Sequence, residues 1–236
     1  MGRLEELLQG AESVALSGHV RPDGDCVGSV MAVYLYIKKN MPKKEVKVFL
    51  ETPSSVFGCI KGIEVIDSNM DTQEEYDVFI ALDCNAERLG DAEPIFRRAK
   101  TKINIDHHVS NQGCGDINIV VPDASSTCEV VYELMDAEKI DEEIAKTIYI
   151  GMIHDTGVFK YSNTSPKTLR IAADLISYGF DETALISAKN VQGYETKTTF
   201  DVVLNLPDHK ETWKNVTLSL IGKHNVQNAL AAIGVS

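Results

Sequence analysis

The sequence predicts an α/β fold in which a mostly parallel sheet is flanked by helices, followed by a short, incomplete α+β segment at the C-terminus. Strand-like and helix-like segments alternate through residues 1–190, the order from which parallel sheets are built. The strand-like segment 77–82 is nearly all apolar, as expected for a strand covered on both faces. After about residue 190 the alternation stops, and two strand-like segments flank a polar stretch that contains Pro207.

The elements follow in chain order from their apolar patterns. Five strands are predicted in the first part of the chain, at 13–17, 46–50, 77–82, 102–105 and 117–121. Helices are predicted at 27–39, 125–138, 141–153, 166–178 and 182–189. Two further strands, at 199–204 and 216–220, precede an Ala-rich helix that follows Gly222.

Composition sets the broad class of the protein. The 236 residues carry a formal net charge of −12, with 44% hydrophobic and 25% charged residues. These are ordinary globular values, which exclude a disordered, collagen-like or disulfide-scaffold chain. An acidic chain is poorly suited to tracking long nucleic acid, where Lys and Arg must displace counterions. Small anionic substrates remain compatible with it, because bound divalent metals reverse the local charge.

Cysteine usage and hydropathy predict a cytoplasmic chain with no membrane partner. No apolar run approaches the ~18–20 residues that a membrane helix needs. The first residues are acidic, unlike a secretory signal peptide. The five cysteines are odd in number and contain no Cys-x-x-Cys pair, which indicates reduced thiols.

Acidic and imidazole side chains fall where the predicted parallel strands end. Because the carboxyl ends of parallel strands meet at one edge of a sheet, we expect these side chains to lie together. They are His19, Asp23 and Asp25 after the first strand, Asp83 after 77–82, Asp106, His107 and His108 after 102–105, and Asp155 at the end of a helix. In the first loop, Pro22 fixes φ and Gly24 accepts positive φ, so that the loop can turn its ligands towards one point.

Such a cluster predicts a site for two divalent cations. Six or seven oxygen and imidazole ligands are what two neighbouring ions require. Four aspartates carry about −4 and would repel one another without a counter-charge, which two divalent ions supply. Taken singly, an Asp after a strand also suits a helix N-cap or a turn, and a lone His suits a structural role.

The motifs resemble those of the DHH phosphoesterase superfamily over residues 1–190. In chain order they are Gly18-His19-Val20-Arg21-Pro22-Asp23-Gly24-Asp25 with Gly28-Ser29, then Asp83, then Asp106-His107-His108, and then Asp155-Thr156-Gly157. The sequence is most similar to the nano-RNase branch, which removes nucleotides from very short RNAs and dephosphorylates adenosine 3′,5′-bisphosphate. The resemblance implies a hydrolase with two Mn²⁺ ions, for which Mg²⁺ or Co²⁺ could substitute.

The resemblance also implies a role for each matching residue. His19, Asp23 and Asp83 would hold one metal, and Asp25, Asp83, His107 and Asp155 the other, with Asp83 bridging. His108, Asp106 and Asp83 would be catalytic: His108 beside the scissile phosphate, and Asp106 orienting the histidines. His108, Asn111 and Ser126 would contact substrate. A metal-activated water would be the nucleophile.

The C-terminal residues resemble part of another family. Segments 199–202 and 220–233 are similar to the central domain of Mur ligases, the muramate–alanine ligase in particular. We therefore expect a DHH catalytic domain at 1–190 and a Mur-ligase-like fragment at 191–236. This fragment is expected to be part of a domain and not a whole one. The Gly-rich phosphate loop of the ligases is absent, so ligase activity is not expected. A natural fusion, an assembly error or a designed chimera would each give this order.

Three functions remain open from the sequence. The first is a manganese-dependent phosphoesterase acting on short oligoribonucleotides or nucleoside 3′,5′-bisphosphates, as a monomer or a homodimer. The second is a manganese inorganic pyrophosphatase. The third is a catalytically weak metal- or nucleotide-binding module, because the Gly-Gly-Gly-His motif of the family's usual substrate-binding domain is absent and remote binding contributes to turnover.

Overall fold

The computed structural model describes residues 2–178, 186–194, 196–205, 210–219 and 226. The chain divides into two compact units, Met1–Leu175 and Ile176–Ser236.

The first unit is built on a six-stranded sheet in which every pairing is parallel. Its strands are β1 (Ser13–Ser17), β2 (Glu45–Phe49), β3 (Ile66–Asp67), β4 (Val78–Leu82), β5 (Thr101–Asp106) and β6 (Ile117–Val120). All five residues of β4 are buried, as the apolar run predicts. The predicted parallel α/β fold is thus confirmed, and the two-residue β3 is an addition to it.

Helices cover both faces of this sheet. They are α1 (Arg3–Leu7), α2 (Gly24–Asn40), α3 (Glu93–Arg98), α4 (Thr127–Leu134), α5 (Glu142–Asp155) and α6 (Pro166–Ser177). On one face, Ile95 and Phe96 of α3 join a core with Phe79 of β4. On the other face, α2 packs against β1, α4 and α5. The short α1 and α3 were not predicted, because five or six residues carry too little periodicity to mark a helix.

The strand order β3-β2-β1-β4-β5-β6 reverses direction at β1. The chain runs outward from β1 to β2 and β3, and then returns to add β4 on the other side. In open parallel sheets such a reversal leaves a crevice at the carboxyl ends of the two central strands, where ligands bind. The residues after β1 and β4 therefore sit at the favoured position for a site.

Helices α2 and α5 approach each other closely at two glycines. A Cβ atom on Gly28 would lie 3.1 Å from the backbone of Gly151. A Cβ atom on Gly151 would overlap the Cys128 sulfur and lie 3.2 Å from Oδ1 of Asp25. The absence of side chains here lets α5 lie close to Asp25, and so brings Asp155 at its end towards the sheet edge.

We expect Gly151→Ala to lower the free energy of unfolding by about 1–3 kcal/mol, the usual cost of overpacking a closely packed interior. Urea denaturation followed by circular dichroism measures the change. Gly58→Ala is the matched control, since a Cβ there meets nothing within 4 Å. Equal stability of the two variants would contradict the close approach of α2 and α5.

The second unit contains a three-stranded antiparallel sheet. Its strands are β7 (Ile186–Gly193), β8 (Thr198–Asn205) and β9 (Lys210–Leu218). Phe200, Val202 and Val226 are buried together there, with Ala188 and Val191 packed against them. The strands predicted at 199–204 and 216–220 correspond to β8 and to the end of β9.

The predicted helix at 182–189 is wrong for residues 186–189, which begin β7. Pairing of β7 along β8, with Ala188 opposite Val202, outweighs the local helical pattern. Residues 182–185 lie outside the described residues. So do Pro207 and, apart from Val226, the Ala-rich helix predicted after Gly222.

Within the described residues, every helix is too short or too polar to cross a lipid bilayer.

Candidate metal centre

Six side chains converge at the carboxyl edge of the sheet. His19 follows β1, Asp83 follows β4 and His107 follows β5, while Asp23 and Asp25 flank the first residue of α2 and Asp155 is the last residue of α5. Each of the six lies within 3.8 Å of at least one other. The residues that the sequence placed in one pocket are therefore brought together.

Asp83 lies between the imidazoles of this cluster. Its Oδ2 atom is 3.4 Å from Nε2 of His19, and its Oδ1 atom is 3.8 Å from Nε2 of His107. Its backbone φ is +60°, a left-handed conformation that aspartate adopts more readily than most residues. The two carboxylate oxygens thus face different histidines, which is the arrangement a carboxylate needs to bridge two cations.

His107 has a buried ring nitrogen without a hydrogen-bond partner among the described residues. Its Nδ1 atom lies 3.3 Å from the Ala124 carbonyl oxygen, which fixes Nδ1 as the donor and leaves the lone pair on Nε2. That Nε2 atom makes no hydrogen bond, although it lies 3.4 Å from Asp155 and 3.8 Å from Asp25. A lone pair aimed among carboxylates fits a metal ligand.

His19 is oriented in the same way. Its Nδ1 atom is 2.9 Å from the Val20 carbonyl oxygen, so Nε2 faces Asp83 and Asp23. Burial lowers the pKa of His19, but the two carboxylates outweigh it and raise that pKa to about 10. Cys26, which the sequence did not single out, is fully buried and lies within 4.8 Å of both His19 and Asp83.

Asp25 is held by the N-terminus of α4. Its Oδ2 and Oδ1 atoms accept hydrogen bonds from the backbone N–H groups of Thr127 (2.6 Å) and Cys128 (2.9 Å). The Thr127 hydroxyl donates to Oδ1 of Asp83 at 2.9 Å. Sequence reasoning missed Thr127, although the Ser-Ser-Thr turn before a helix was a usable signal of a helix N-terminus that favours carboxylates.

Asp23 has the contacts of both roles that the sequence left open, a helix N-cap and a member of the ligand cluster. Its Oδ1 atom caps α2 by accepting from the N–H groups of Asp25 (3.0 Å) and Cys26 (3.1 Å), and it also faces His19 at 3.7 Å. The expectation of positive φ at Gly24 is wrong. The residue of this loop that has positive φ is Arg21, at +54°. Gly24 is needed for space, because a Cβ there would meet the His154 ring at 2.5 Å.

Asp106 supports His108 and Asn111. Its Oδ1 atom accepts from the His108 Nδ1–H at 2.8 Å and from the His107 backbone N–H at 2.7 Å, and its Oδ2 atom accepts from the Asn111 amide. The hydrogen bond to Asp106 raises the pKa of His108, whose ring is 40% exposed. His108 therefore presents Nε2 outward.

Ser126 is the innermost of the residues predicted to contact substrate. Its side chain is fully buried, and its hydroxyl caps α4 by accepting from the Glu129 N–H at 3.1 Å. A substrate contact by Ser126 stays a prediction.

The cluster carries more negative charge than its histidines offset. Burial raises the pKa of Asp25 well above its usual range, and Asp83 and Asp155 raise it further. Burial also raises the pKa of Asp155, where Asp83 and Asp23 act against His107. Hard divalent cations, which prefer oxygen and imidazole ligands, fit this donor set and relieve the repulsion.

Two protein families match the chain. Residues 13–152 match the DHH family, N-terminal domain, and residues 153–236 match the Mur ligase middle domain. Over 66 residues, 28% of this chain and 14% of the relative, the chain is 39% identical to UDP-N-acetylmuramate–L-alanine ligase of Ralstonia nicotianae (strain ATCC BAA-1114 / GMI1000). Both resemblances indicated by the motifs are thereby confirmed.

Relatives of the chain include a bifunctional nuclease and phosphatase. The chain is 31% identical over 191 residues to the bifunctional oligoribonuclease and PAP phosphatase NrnA of Bacillus subtilis (strain 168), covering 79% of this chain and 58% of the relative. An exopolyphosphatase-related protein from Bacteroides fragilis has a similar fold, with a TM-score of 0.67 and 29% identity over 76% of this chain and 57% of that one. The chain thus spans somewhat more than half the length of these relatives.

Proposed function

The chain belongs to the DHH family, and from that premise we propose that it is a Mn²⁺-dependent phosphoesterase that hydrolyses short oligoribonucleotides or nucleoside 3′,5′-bisphosphates. The observation that carries the proposal is the position of His107 Nε2. This buried atom has no hydrogen-bond partner in the part of the chain that the structure describes, and it lies 3.4–3.8 Å from the carboxylates of Asp25, Asp83 and Asp155. The name of the Bacillus subtilis relative supports the choice of substrates.

We assign the metal ligands by the side of Asp83 on which they lie. His19 and Asp23 face its Oδ2 atom and would hold one cation with it. His107 faces its Oδ1 atom and would hold the second cation together with Asp25 and Asp155. Mn²⁺ accepts this mixture of carboxylate and imidazole ligands, as Mg²⁺ or Co²⁺ would to different extents.

Bound divalent cations would lower the pKa of a water molecule that attacks the phosphorus, and they would offset the phosphate charge. The protein's own groups orient the substrate. The hydrogen bond from its Nδ1–H to Asp106 raises the pKa of His108, so the protonated ring would present an outward Nε2–H to a phosphate oxygen. Asp106 keeps that ring in place through the same hydrogen bond.

A small cavity of about 40 Å³ adjoins His108. Arg88 and Ser110 line it together with His108 and Asn111. Arg88 is an exposed cation at this cavity, and phosphate oxygens are suitable partners for its guanidinium group. The amide of Asn111 is engaged by Asn104 and Asp106, so its proposed contribution is to the shape of the cavity.

We also propose a cytoplasmic location for the reaction. All five cysteines are free thiols, and Cys26, Cys84 and Cys128 are buried. Unpaired cysteines are typical of proteins in a reducing compartment.

One assay tests the proposed function. The chain with MnCl₂ is expected to release phosphate from adenosine 3′,5′-bisphosphate and mononucleotides from a ribodinucleotide, and to be inactive in EDTA. Inorganic pyrophosphate is the comparison substrate. Faster hydrolysis of pyrophosphate would favour a pyrophosphatase, and inactivity on all three with Mn²⁺ bound would favour a binding module.

A further inference from the structure

Glu129 is a fully buried carboxylate outside the proposed ligand set. It lies in the first turn of α4 with 0% of its surface exposed. A buried carboxylate is costly unless it is well paired, so its contacts require an explanation.

The Glu129 carboxylate holds the loop before α4. Its Oε2 atom accepts hydrogen bonds from the Ser125 hydroxyl (2.6 Å), the Ser125 backbone N–H (3.3 Å) and the Thr168 hydroxyl of α6 (2.8 Å). Its Oε1 atom lies 3.3 Å from Nζ of Lys167. One side chain therefore fixes Ser125 and connects it to the start of α6.

That loop and the first two residues of α4 supply partners to three of the six clustered residues. The Ala124 carbonyl orients His107, the Thr127 and Cys128 N–H groups hold Asp25, and the Thr127 hydroxyl holds Asp83. We define residues 124–128 as the anchor turn.

The anchor turn also reaches a fourth clustered residue. The Asn163 side-chain amide donates to the Ser125 carbonyl oxygen at 2.9 Å and to the Asp155 carbonyl oxygen at 3.2 Å. Ser125, which Glu129 holds on two atoms, is thus connected to the residue at the end of α5.

From these contacts we infer that Glu129 is a positioning residue: by fixing the anchor turn it sets the orientation of Asp25, Asp83 and His107 and so determines the affinity for divalent cations. The inference rests on the proposed metal site. Loss of Glu129 should weaken Mn²⁺ binding and lower kcat, while KM at saturating Mn²⁺ stays close to its original value, because Glu129 touches no substrate.

Glu129→Gln is the principal test, with Glu133→Gln as its matched control. Glu133 lies one turn further along α4 and binds the same Lys167 at 2.7 Å, but it is 42% exposed and has no contact with the anchor turn among the described residues. Isothermal titration of the full chain with MnCl₂ is expected to show Kd raised about 10- to 100-fold in Glu129→Gln and unchanged in Glu133→Gln. Excess MnCl₂ should restore part of the hydrolysis of adenosine 3′,5′-bisphosphate.

A second variant covers the case in which Glu129→Gln does not fold. Ser125→Ala removes the 2.6 Å hydrogen bond and leaves the charges intact, so a smaller rise in Kd is expected. Equal Mn²⁺ affinity of the folded Glu129→Gln or Ser125→Ala chain and the Glu133→Gln chain would overturn the inference. Mn²⁺ binding without hydrolysis by the unsubstituted chain would overturn the proposed function alone, and absence of Mn²⁺ binding would overturn both.

Discussion

Replacement of Asp83 by asparagine is expected to reduce hydrolysis by about 1000-fold or more, because it removes the proposed bridging ligand and with it about 4 kcal/mol of transition-state stabilisation. Asparagine is the informative substitution. It tolerates the left-handed conformation at φ +60° and can still accept from the Thr127 hydroxyl, so the backbone should be preserved. Phosphate release and Mn²⁺ titration calorimetry on the same preparation measure the loss of activity and of affinity together.

Asp77→Asn is the matched control at the opposite end of β4. Its Oδ2 atom accepts from the backbone N–H groups of Glu12 and Ser13, and its Oδ1 atom binds Lys100 at 2.8 Å. This variant should be less stable but should hydrolyse substrate normally once folded. Normal turnover by Asp83→Asn, or an equal loss in Asp77→Asn, would contradict the role of Asp83 at the centre of the site.

The core of the site was predictable because it depends on a topological rule. Strands such as β4 and β5 are marked by local apolar runs, and parallel strands place their carboxyl ends at one edge. Asp83 and His107 directly follow such runs, so their proximity follows from the fold class alone. The position of Asp155 does not follow from the strand order, because Asp155 ends a helix. Its helix can approach the same edge because the glycines at 28 and 151 leave space for it.

The hydrogen bonds that hold the clustered side chains in place were not predictable from local sequence. Thr127 and Cys128 act on Asp25, which lies about one hundred positions earlier in the chain, and they act through backbone N–H groups that any residue type has. Glu129 reads as an ordinary polar residue of a helix, but in the fold it is fully buried and contacts Thr168 of α6, a residue distant in the sequence.

The sequence also failed to predict strands that are very short or that depend on pairing with another strand. β3 has two residues and is defined only by its register with β2. Residues 186–189 have a helical pattern, but their backbone pairs with β8, and Ala188 packs against the buried residues of that sheet. In both cases the deciding contacts come from outside the local segment.

Asp155→Asn is expected to raise the stability of the metal-free chain while abolishing its response to Mn²⁺. Burial and the charges of Asp83 and Asp23 raise the pKa of Asp155, so its ionised form is disfavoured in the fold. Asparagine removes one of the repelling charges, and a gain of about 1 kcal/mol in unfolding free energy in EDTA is expected. The unsubstituted chain should instead gain about 2.7 kcal/mol when Mn²⁺ is present at 100 times its Kd. Thermal unfolding in EDTA measures the gain from the substitution, and thermal unfolding in MnCl₂ measures the gain from Mn²⁺ binding.

Asp141→Asn supplies the comparison, because it makes the same change at the other end of α5. Asp141 caps that helix by accepting from the Ile144 N–H at 3.0 Å and binds Lys39 at 3.1 Å. Its replacement should lower stability by about 1 kcal/mol in both buffers and leave the Mn²⁺ response intact. The opposite signs of the two effects in EDTA separate a residue retained for folding from one retained for metal binding. A metal-free Asp155→Asn chain that is less stable than the original and still responds to Mn²⁺ would show that Asp155 serves the fold and does not bind metal.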